Sequence, residues 1–205
     1  MLPIKLVTLG EGRVGKSSLL LRFSSDSFDA NNPSTLAASF IEKRLIVGSI
    51  PVTLNLWDTA GQECFHALGP LYYRDSDCAL LVFDLTDADS FAKVKRWVAE
   101  LRTMVGPTLP ICLAGNKSDL NSLVDGLMAE AEQYAQQIGA KFYPTSALLN
   151  RNVDACFLYL CNEVVTLQQQ TNGGGAREEE DEDRAIRLGT TTSAKSNDDQ
   201  GGCCV

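Results

Sequence analysis

Before Thr171, short apolar runs alternate with segments in which apolar residues recur every third or fourth position; after it, apolar side chains are sparse. Ile4 to Leu9 reads as a strand ending in a glycine-rich turn, and Lys16 to Phe23 continues as a helix. Ser39 to Val47 and Val52 to Trp57 read as two strands around a Gly48-Ser49 turn. Ala79 to Phe83 and Ile111 to Ala114 are continuous apolar runs of the kind that parallel strands buried on both faces show. Between them Phe91, Val94, Trp97, Val98, Leu101, Met104 and Val105 recur at helical spacing, with Asp89 or Ser90 placed to cap the start. A helix from about Met128 to Ile138, a strand near Lys141 to Thr145 and a helix from about Val153 to Gln169 complete the pattern. Alternation of this kind predicts an α/β fold, a mostly parallel sheet of six strands with helices on both faces. Ligands of such folds bind outside the carboxyl ends of the strands.

Beyond Thr171 come Gly173-Gly-Gly, the acidic block Glu178 to Asp183, and a stretch of Thr, Ser, Asn, Asp and Gly. With few apolar side chains to bury, residues 172–205 are expected to stay flexible, leaving one globular domain over residues 1–171. The 205-residue length and 44% hydrophobic content suit a domain with a substantial core plus a tail. The net charge of −8 argues against nucleic acid as a partner, because phosphate backbones need clustered Lys and Arg. No apolar stretch approaches the roughly 20 residues that span a bilayer, and the N-terminal residues lack a signal-peptide layout. A cytosolic chain is therefore expected. The seven cysteines form neither a zinc pattern nor a disulfide framework. Cys78 and Cys112, inside apolar runs, read as small core residues in a reducing compartment.

Gly10-Glu-Gly-Arg-Val-Gly15-Lys16-Ser17 fits G-x-x-x-x-G-K-[ST] and lies between a predicted strand and a predicted helix. Glycines let the backbone wrap a phosphate so that several N–H groups converge on it, and the helix start presents its positive dipole end. Gly12, Val14, Gly15, Lys16, Ser17 and Ser18 are the candidates for holding phosphate. Lys16 can reach the outer phosphates, and the Ser17 hydroxyl suits a hard Mg²⁺ ion. Alone, this motif indicates a nucleoside triphosphate without saying which.

Trp57-Asp58-Thr59-Ala60-Gly61-Gln62 follows the second hairpin strand. Asp58 at a strand end can hold the metal, Gly61 can offer an unobstructed backbone N–H to the terminal phosphate, and Gln62 can orient an attacking water. Asn116-Lys117-Ser118-Asp119 ends the strand that starts at Ile111. A fixed carboxylate at Asp119 can accept from N1–H and the 2-amino group of guanine, a donor pair adenine lacks. Lys117 can lay its aliphatic stem along the base, while Asn116 ties this loop to the phosphate loop. In Thr145-Ser146-Ala147, the Ala147 N–H can meet the guanine oxygen and Ser146 can brace the loop. Phe28 can cover the base edge or simply anchor its own loop.

These elements, in this order, resemble the small GTPases of the Ras superfamily over nearly all of residues 3–170. Leu54-Asn-Leu-Trp-Asp, Tyr72-Tyr-Arg and Leu81-Val-Phe-Asp-Leu-Thr resemble the Rab family of vesicle-traffic GTPases. Thr35-Leu-Ala-Ala-Ser-Phe40, with Phe65-His-Ala-Leu-Gly-Pro-Leu-Tyr-Tyr-Arg-Asp, is most similar to an early-endosomal Rab branch, the Rab twenty-one type. The resemblance implies a P-loop NTPase fold and a GTP/GDP switch in which Thr35 binds Mg²⁺ and senses the terminal phosphate. Segments near residues 28–40 and 59–75 would order with GTP and relax with GDP. Phe40, Trp57 and Tyr72 match the aromatic trio that Rabs present to effectors, although each taken alone also fits an ordinary core position. Implied partners are effectors, a guanine nucleotide exchange factor, a GTPase-activating protein, a Rab escort protein and a GDP-dissociation inhibitor. The implied location is the cytoplasmic face of intracellular membranes, early endosomes in particular, cycling with the cytosol.

Departures from the family pattern are Ala37 for a common glycine, Cys64 for a common arginine, Leu148 for the usual lysine, and Arg13, which is expected to face solvent. No internal arginine finger is identifiable, so unassisted turnover is expected on the order of 10⁻⁴–10⁻³ s⁻¹, with Gly12 leaving room for a residue from an activating protein. The chain ends Gly201-Gly-Cys203-Cys204-Val205, which is not a C-a-a-X box. The pair resembles the Rab cysteines that carry two geranylgeranyl groups, and two chains fit the physics because one anchors only marginally. A P-loop kinase or ATPase is disfavoured by Asn116 to Asp119, and a non-hydrolysing module by Gln62 and Thr35.

Overall fold

A computed structural model describes residues 1–30, 35, 39–59 and 72–188. Six strands, β1 (Leu2–Leu9), β2 (Ser39–Val47), β3 (Ile50–Asp58), β4 (Cys78–Asp84), β5 (Ile111–Asn116) and β6 (Lys141–Pro144), form one sheet in the order β2-β3-β1-β4-β5-β6. Only β2 runs antiparallel, paired with β3 through a turn at Gly48 and Ser49; the remaining pairs are parallel. Among the described residues the helices are α1 (Lys16–Ser25), α2 (Ala88–Met104), α3 (Leu127–Gln137) and α4 (Val153–Leu188). The expected α/β architecture and all six strands are therefore present.

Alternation along the strands sends side chains to two separate cores. Cys78, Leu80 and Val82 of β4 join Ile4, Leu6, Leu54 and Leu56 against α1 and the start of α4. Ala79, Leu81 and Phe83 point the other way, with Val7 and Leu9, against α2 and α3. This two-faced burial explains why β4 and β5 read as unbroken apolar runs. Phe23 of α1 stacks on Phe157 of α4 with ring centroids 4.0 Å apart, which fixes the helix that carries the phosphate loop. Cys78 and Cys112 are fully buried core residues, as expected, and Cys156 and Cys161 join them.

Two boundaries differ from the sequence pattern. Asp87, rather than Asp89 or Ser90, caps α2: its side chain accepts from the Asp89 N–H at 3.0 Å. Ser90 is instead buried, donating to the Asp87 carbonyl at 2.7 Å. The last helix continues to Leu188, beyond its expected end near Gln169. It runs through Gly173, Gly174 and Gly175, which disfavour helix, before reaching Ala176, Arg177 and the glutamates, which favour it. The chain divides into a unit of Met1–Val165 and a second beginning at Thr166, which holds the rest of α4. No helix among the described residues is long and apolar enough to cross a membrane.

β1 has β3 on one flank and β4 on the other, so the connection out of β1 runs to the β2–β3 side while the connection from β3 to β4 runs to the opposite side. A crevice opens at such a point. The loop after Leu9 lies there.

Candidate functional site

The loop from Gly10 to Gly15 joins β1 to α1 and depends on backbone that only glycine supplies. At Gly10, φ is 144° and an added Cβ would lie 2.1 Å from the Val82 carbonyl oxygen. At Gly15, φ is 98° and a Cβ would lie 2.3 Å from Asn116 Nδ2. Gly15 also starts α1 without any side-chain cap, which leaves the first-turn N–H groups available to an anion. Lys16 is only 5% exposed. Its Nζ donates to the carbonyls of Gly10 and Glu11, each at 2.8 Å, so the ammonium is held within the loop. Burial lowers its pKa to about 8, against the opposing pull of Asp58 and Glu11. Arg13 is exposed, as its unusual place in the loop suggested, and adopts φ 65°. Glu11 is tied to Lys93 of α2 by an ion pair of 3.0 Å.

Three oxygen-bearing side chains from distant parts of the chain meet beside this loop. Ser17 Oγ donates to Asp58 Oδ2 at 2.5 Å and lies 2.8 Å from Thr35 Oγ1, which reaches the same carboxylate oxygen at 3.5 Å. Asp58 is buried, and its other oxygen, Oδ1, has no hydrogen-bond partner among the described residues. Burial pushes the Asp58 pKa upward, with the Ser17 hydrogen bond and the Lys16 charge offsetting part of the rise. A buried carboxylate with an orphaned oxygen calls for a cation, and the donor set is the all-oxygen kind that a hard divalent ion takes. Neighbouring ligands of an octahedron with bonds near 2.1 Å sit about 3 Å apart, comparable to the spacing here.

The third part lies at the ends of β5 and β6. Asn116 Nδ2 donates to the Val14 carbonyl at 2.9 Å, fastening this edge to the phosphate loop. Its Oδ1 accepts from Thr145 Oγ1 at 3.4 Å and from the Ala147 N–H at 3.3 Å. Ser146 Oγ donates to Asp119 Oδ1 at 2.5 Å, so the expected bracing serine holds the expected base-reading carboxylate. Lys117 stands in the left-handed region at φ 62°, and its Nζ lies 2.5 Å from Asp84 Oδ2. Buried Asp84 also accepts from the backbone and hydroxyl of Thr86 at 2.9 and 2.7 Å. Burial raises the Asp84 pKa, but the bonds from Lys117 and Thr86 outweigh it and leave the group below its ordinary value.

The fold thus brings Val14, Gly15, Lys16, Ser17, Thr35, Asp58, Asn116, Lys117, Asp119, Ser146 and Ala147 into one linked region. Gly12 is exposed in the loop and Ser18 is half-buried in α1. Phe28 is half-buried against the core on the α1 side of the sheet. Gly61 and Gln62 lie outside the described residues, as do Ala37, Cys64, Cys203 and Cys204. Phe40 is 52% exposed and meets Trp57 edge-on at 5.5 Å, while Tyr72 is half-buried. Leu148 is 51% exposed.

Sequence reasoning missed Asp84, Thr145 and Arg22. An acidic residue ending a wholly apolar strand at the ligand-binding edge was a usable signal for Asp84. Nothing local signalled Arg22, whose Nε donates to the Ala147 carbonyl at 2.9 Å from 125 residues away.

Comparison with known proteins agrees with this geometry. The Ras family model matches residues 5–166. Ras-related protein Rab-21 of Bos taurus and of Homo sapiens are each 52% identical over 161 residues, 78% of this chain and 72% of theirs. Ras-related protein Rab-21 of Dictyostelium discoideum is 46% identical over the same share of this chain and 76% of its own. With the Ras family model matching over residues 5–166 and relatives this similar along most of its length, the chain belongs to the Ras family as a Rab small GTPase of the Rab-21 type, a GTP-hydrolysing switch of vesicle traffic.

Proposed function

We propose that the crevice binds GTP with Mg²⁺, the triphosphate in the loop from Gly12 to Ser18 and the guanine between Asn116, Lys117, Asp119, Ser146 and Ala147. The convergence of Ser17, Thr35 and Asp58 on one buried, half-satisfied carboxylate carries this reading. Those three residues would hold the ion directly or through water, and the bound ion would supply charge neutralisation at the phosphates. Lys16 shares that role as charge develops on the terminal phosphoryl group. Gln62 aligns the attacking water, and the Gly61 N–H supports the transferred group. Thr35 is the sensor of the terminal phosphate, and the segments near residues 28–40 and 59–75 are the two-state elements.

Phe40, with Trp57 and Tyr72, forms the aromatic surface offered to effectors in the GTP state. Exchange and activating proteins set the cycle, and an escort protein and a dissociation inhibitor handle the lipidated chain. Cys203 and Cys204 carry two prenyl groups, and residues 172–205 serve as the tether to the cytoplasmic face of endosomal membranes. Its acidic block weakens attraction to anionic lipid, so the anchor is mainly hydrophobic.

Single-turnover hydrolysis with Mg²⁺-loaded protein tests the site. Gln62→Leu is expected to bind GTP normally yet lose most turnover, with or without an activating protein. Undiminished turnover in that variant removes Gln62 from the mechanism. Mass spectrometry of protein from cells is expected to find isoprenyl additions on the terminal cysteines, and their absence removes the anchor.

A further inference from the structure

The expected base-reading group at Ala147 is a backbone N–H, and a backbone N–H is aimed by whatever holds its own and neighbouring peptides. Arg22 holds them. Its side chain, rooted in α1, is only 15% exposed although it carries a full charge. Nε donates to the Ala147 carbonyl at 2.9 Å and Nη2 to the Leu148 carbonyl at 3.4 Å. Nη1 donates to the Asp26 carbonyl at 2.8 Å and its carboxylate at 3.1 Å. Asp26 ends α1 in the left-handed conformation, and its carboxylate also accepts from Asn150 Nδ2 at 3.2 Å. One planar guanidinium therefore spans the end of α1 and the turn after β6, a fork that an ammonium cannot reproduce.

We propose that Arg22 is a positioning residue for guanine recognition: by clamping the Ala147 and Leu148 carbonyls onto α1, it aims the Ala147 N–H at the 6-oxo group of the base. The inference rests on the nucleotide assignment above. It deepens that assignment by making base reading depend on the helix that begins at the phosphate loop. Leu148, half exposed, leaves this turn without the lysine usual in the family, so the main-chain clamp carries more of the load. Arg22 lies six residues beyond Lys16, about 9 Å along the helix, and so acts on the base end rather than on the phosphates.

The test uses the full chain, with wild type, Arg22→Ala and Arg22→Lys loaded with nucleotide and Mg²⁺. In Arg22→Ala, GDP and GTP dissociation are expected to rise about tenfold while single-turnover hydrolysis of bound GTP changes less than about twofold. The decisive readout compares GDP with the diphosphate of 6-thioguanosine, which keeps N1–H and the 2-amino group but puts a weakly accepting sulfur in place of the 6-oxo oxygen. Preference for GDP over that analogue is expected to shrink about fivefold or more in Arg22→Ala and by an intermediate amount in Arg22→Lys. A general loss of stability would weaken both ligands alike, so an unchanged ratio in both variants overturns the proposal. Wild type that fails to prefer GDP over ADP would instead sink the nucleotide assignment itself. A folded wild type with normal preference and insensitive Arg22 variants sinks only the clamp. Should Arg22→Ala fail to fold, Arg22→Lys decides alone, by the same ratio.

Discussion

Lys117 Nζ and Asp84 Oδ2 lie 2.5 Å apart, joining the ends of two adjacent parallel strands whose register pairs Asp84 with Asn116. The ion pair restrains a lysine of the proposed base site whose backbone stands in the left-handed region at φ 62°. Replacing Asp84 with Asn keeps the volume and the Thr86 acceptor but removes the charge. A charge-assisted hydrogen bond is worth about 1.5–3 kcal/mol, and the half-exposed lysine takes the low end. GDP dissociation is therefore expected to quicken about tenfold in Asp84→Asn, read with a fluorescent nucleotide.

The same pair predicts a pH dependence. The Asp84 pKa lies below its ordinary 3.8 in the folded chain, so the unfolded state takes up this proton first as acid is added. Stability from the pair is complete above about pH 4 and is lost as pH falls through the folded pKa. Melting of wild type and Asp84→Asn should differ by a constant margin from roughly pH 7 to 5 and converge at lower pH. A margin that widens in acid contradicts the assignment.

Gly15→Ala should abolish nucleotide binding. Its new Cβ would press 2.3 Å from Asn116 Nδ2, in a backbone already at φ 98°. The left-handed conformation alone costs roughly 1–2 kcal/mol for a residue with a Cβ. The amide that ties the base edge to the Val14 carbonyl must also move. Calorimetric titration with GDP would show the loss, and retained affinity would mean the loop tolerates a conformation different from this one.

Chelation should release nucleotide. With Mg²⁺ removed, Asp58 faces the phosphates as an uncompensated buried carboxylate, so EDTA is expected to speed GDP release about tenfold or more. Ser17→Ala removes one of the three converging oxygens, and release from it should be fast from the outset and respond little to EDTA. A large EDTA response in that variant takes Ser17 out of the metal site.

Phe157→Ala addresses the scaffold. The ring is fully buried and stacked on Phe23 at 4.0 Å, so truncation leaves a cavity between α1 and α4. The expected loss is about 3–5 kcal/mol in denaturant unfolding. Nucleotide should restore part of the apparent stability by mass action. Phe40→Ala, by contrast, concerns a ring already 52% exposed and should leave unfolding nearly unchanged while weakening effector capture.

Most of the fold was legible because its signals are local. The unbroken apolar run from Ala79 to Phe83 announced a strand covered on both sides, and the period through Phe91, Val94, Val98 and Leu101 announced the helix that covers one of them. The cap of that helix was misplaced because Asp87, Asp89 and Ser90 are all chemically able to serve. Which one does depends on backbone angles that composition does not carry. The end of α4 was placed too early because amphipathic period marks only where a helix is packed, and the Gly173-Gly-Gly run that local preference reads as a stop does not interrupt it.

What the chain determined by itself was the chemistry available and its order: a glycine loop between strand and helix, an Asp at one strand end, and Asn-Lys-Ser-Asp at another. Those are short-range facts, because neighbouring residues are held together by the covalent chain. Only the tertiary structure decided that Ser17, Thr35 and Asp58 share one oxygen cluster. It also decided that Asp84 restrains Lys117 and that Arg22 grips the turn at Ala147. Each of those meetings follows from strand order and register, and the sheet sets these by the collective burial of two cores rather than by any local pattern.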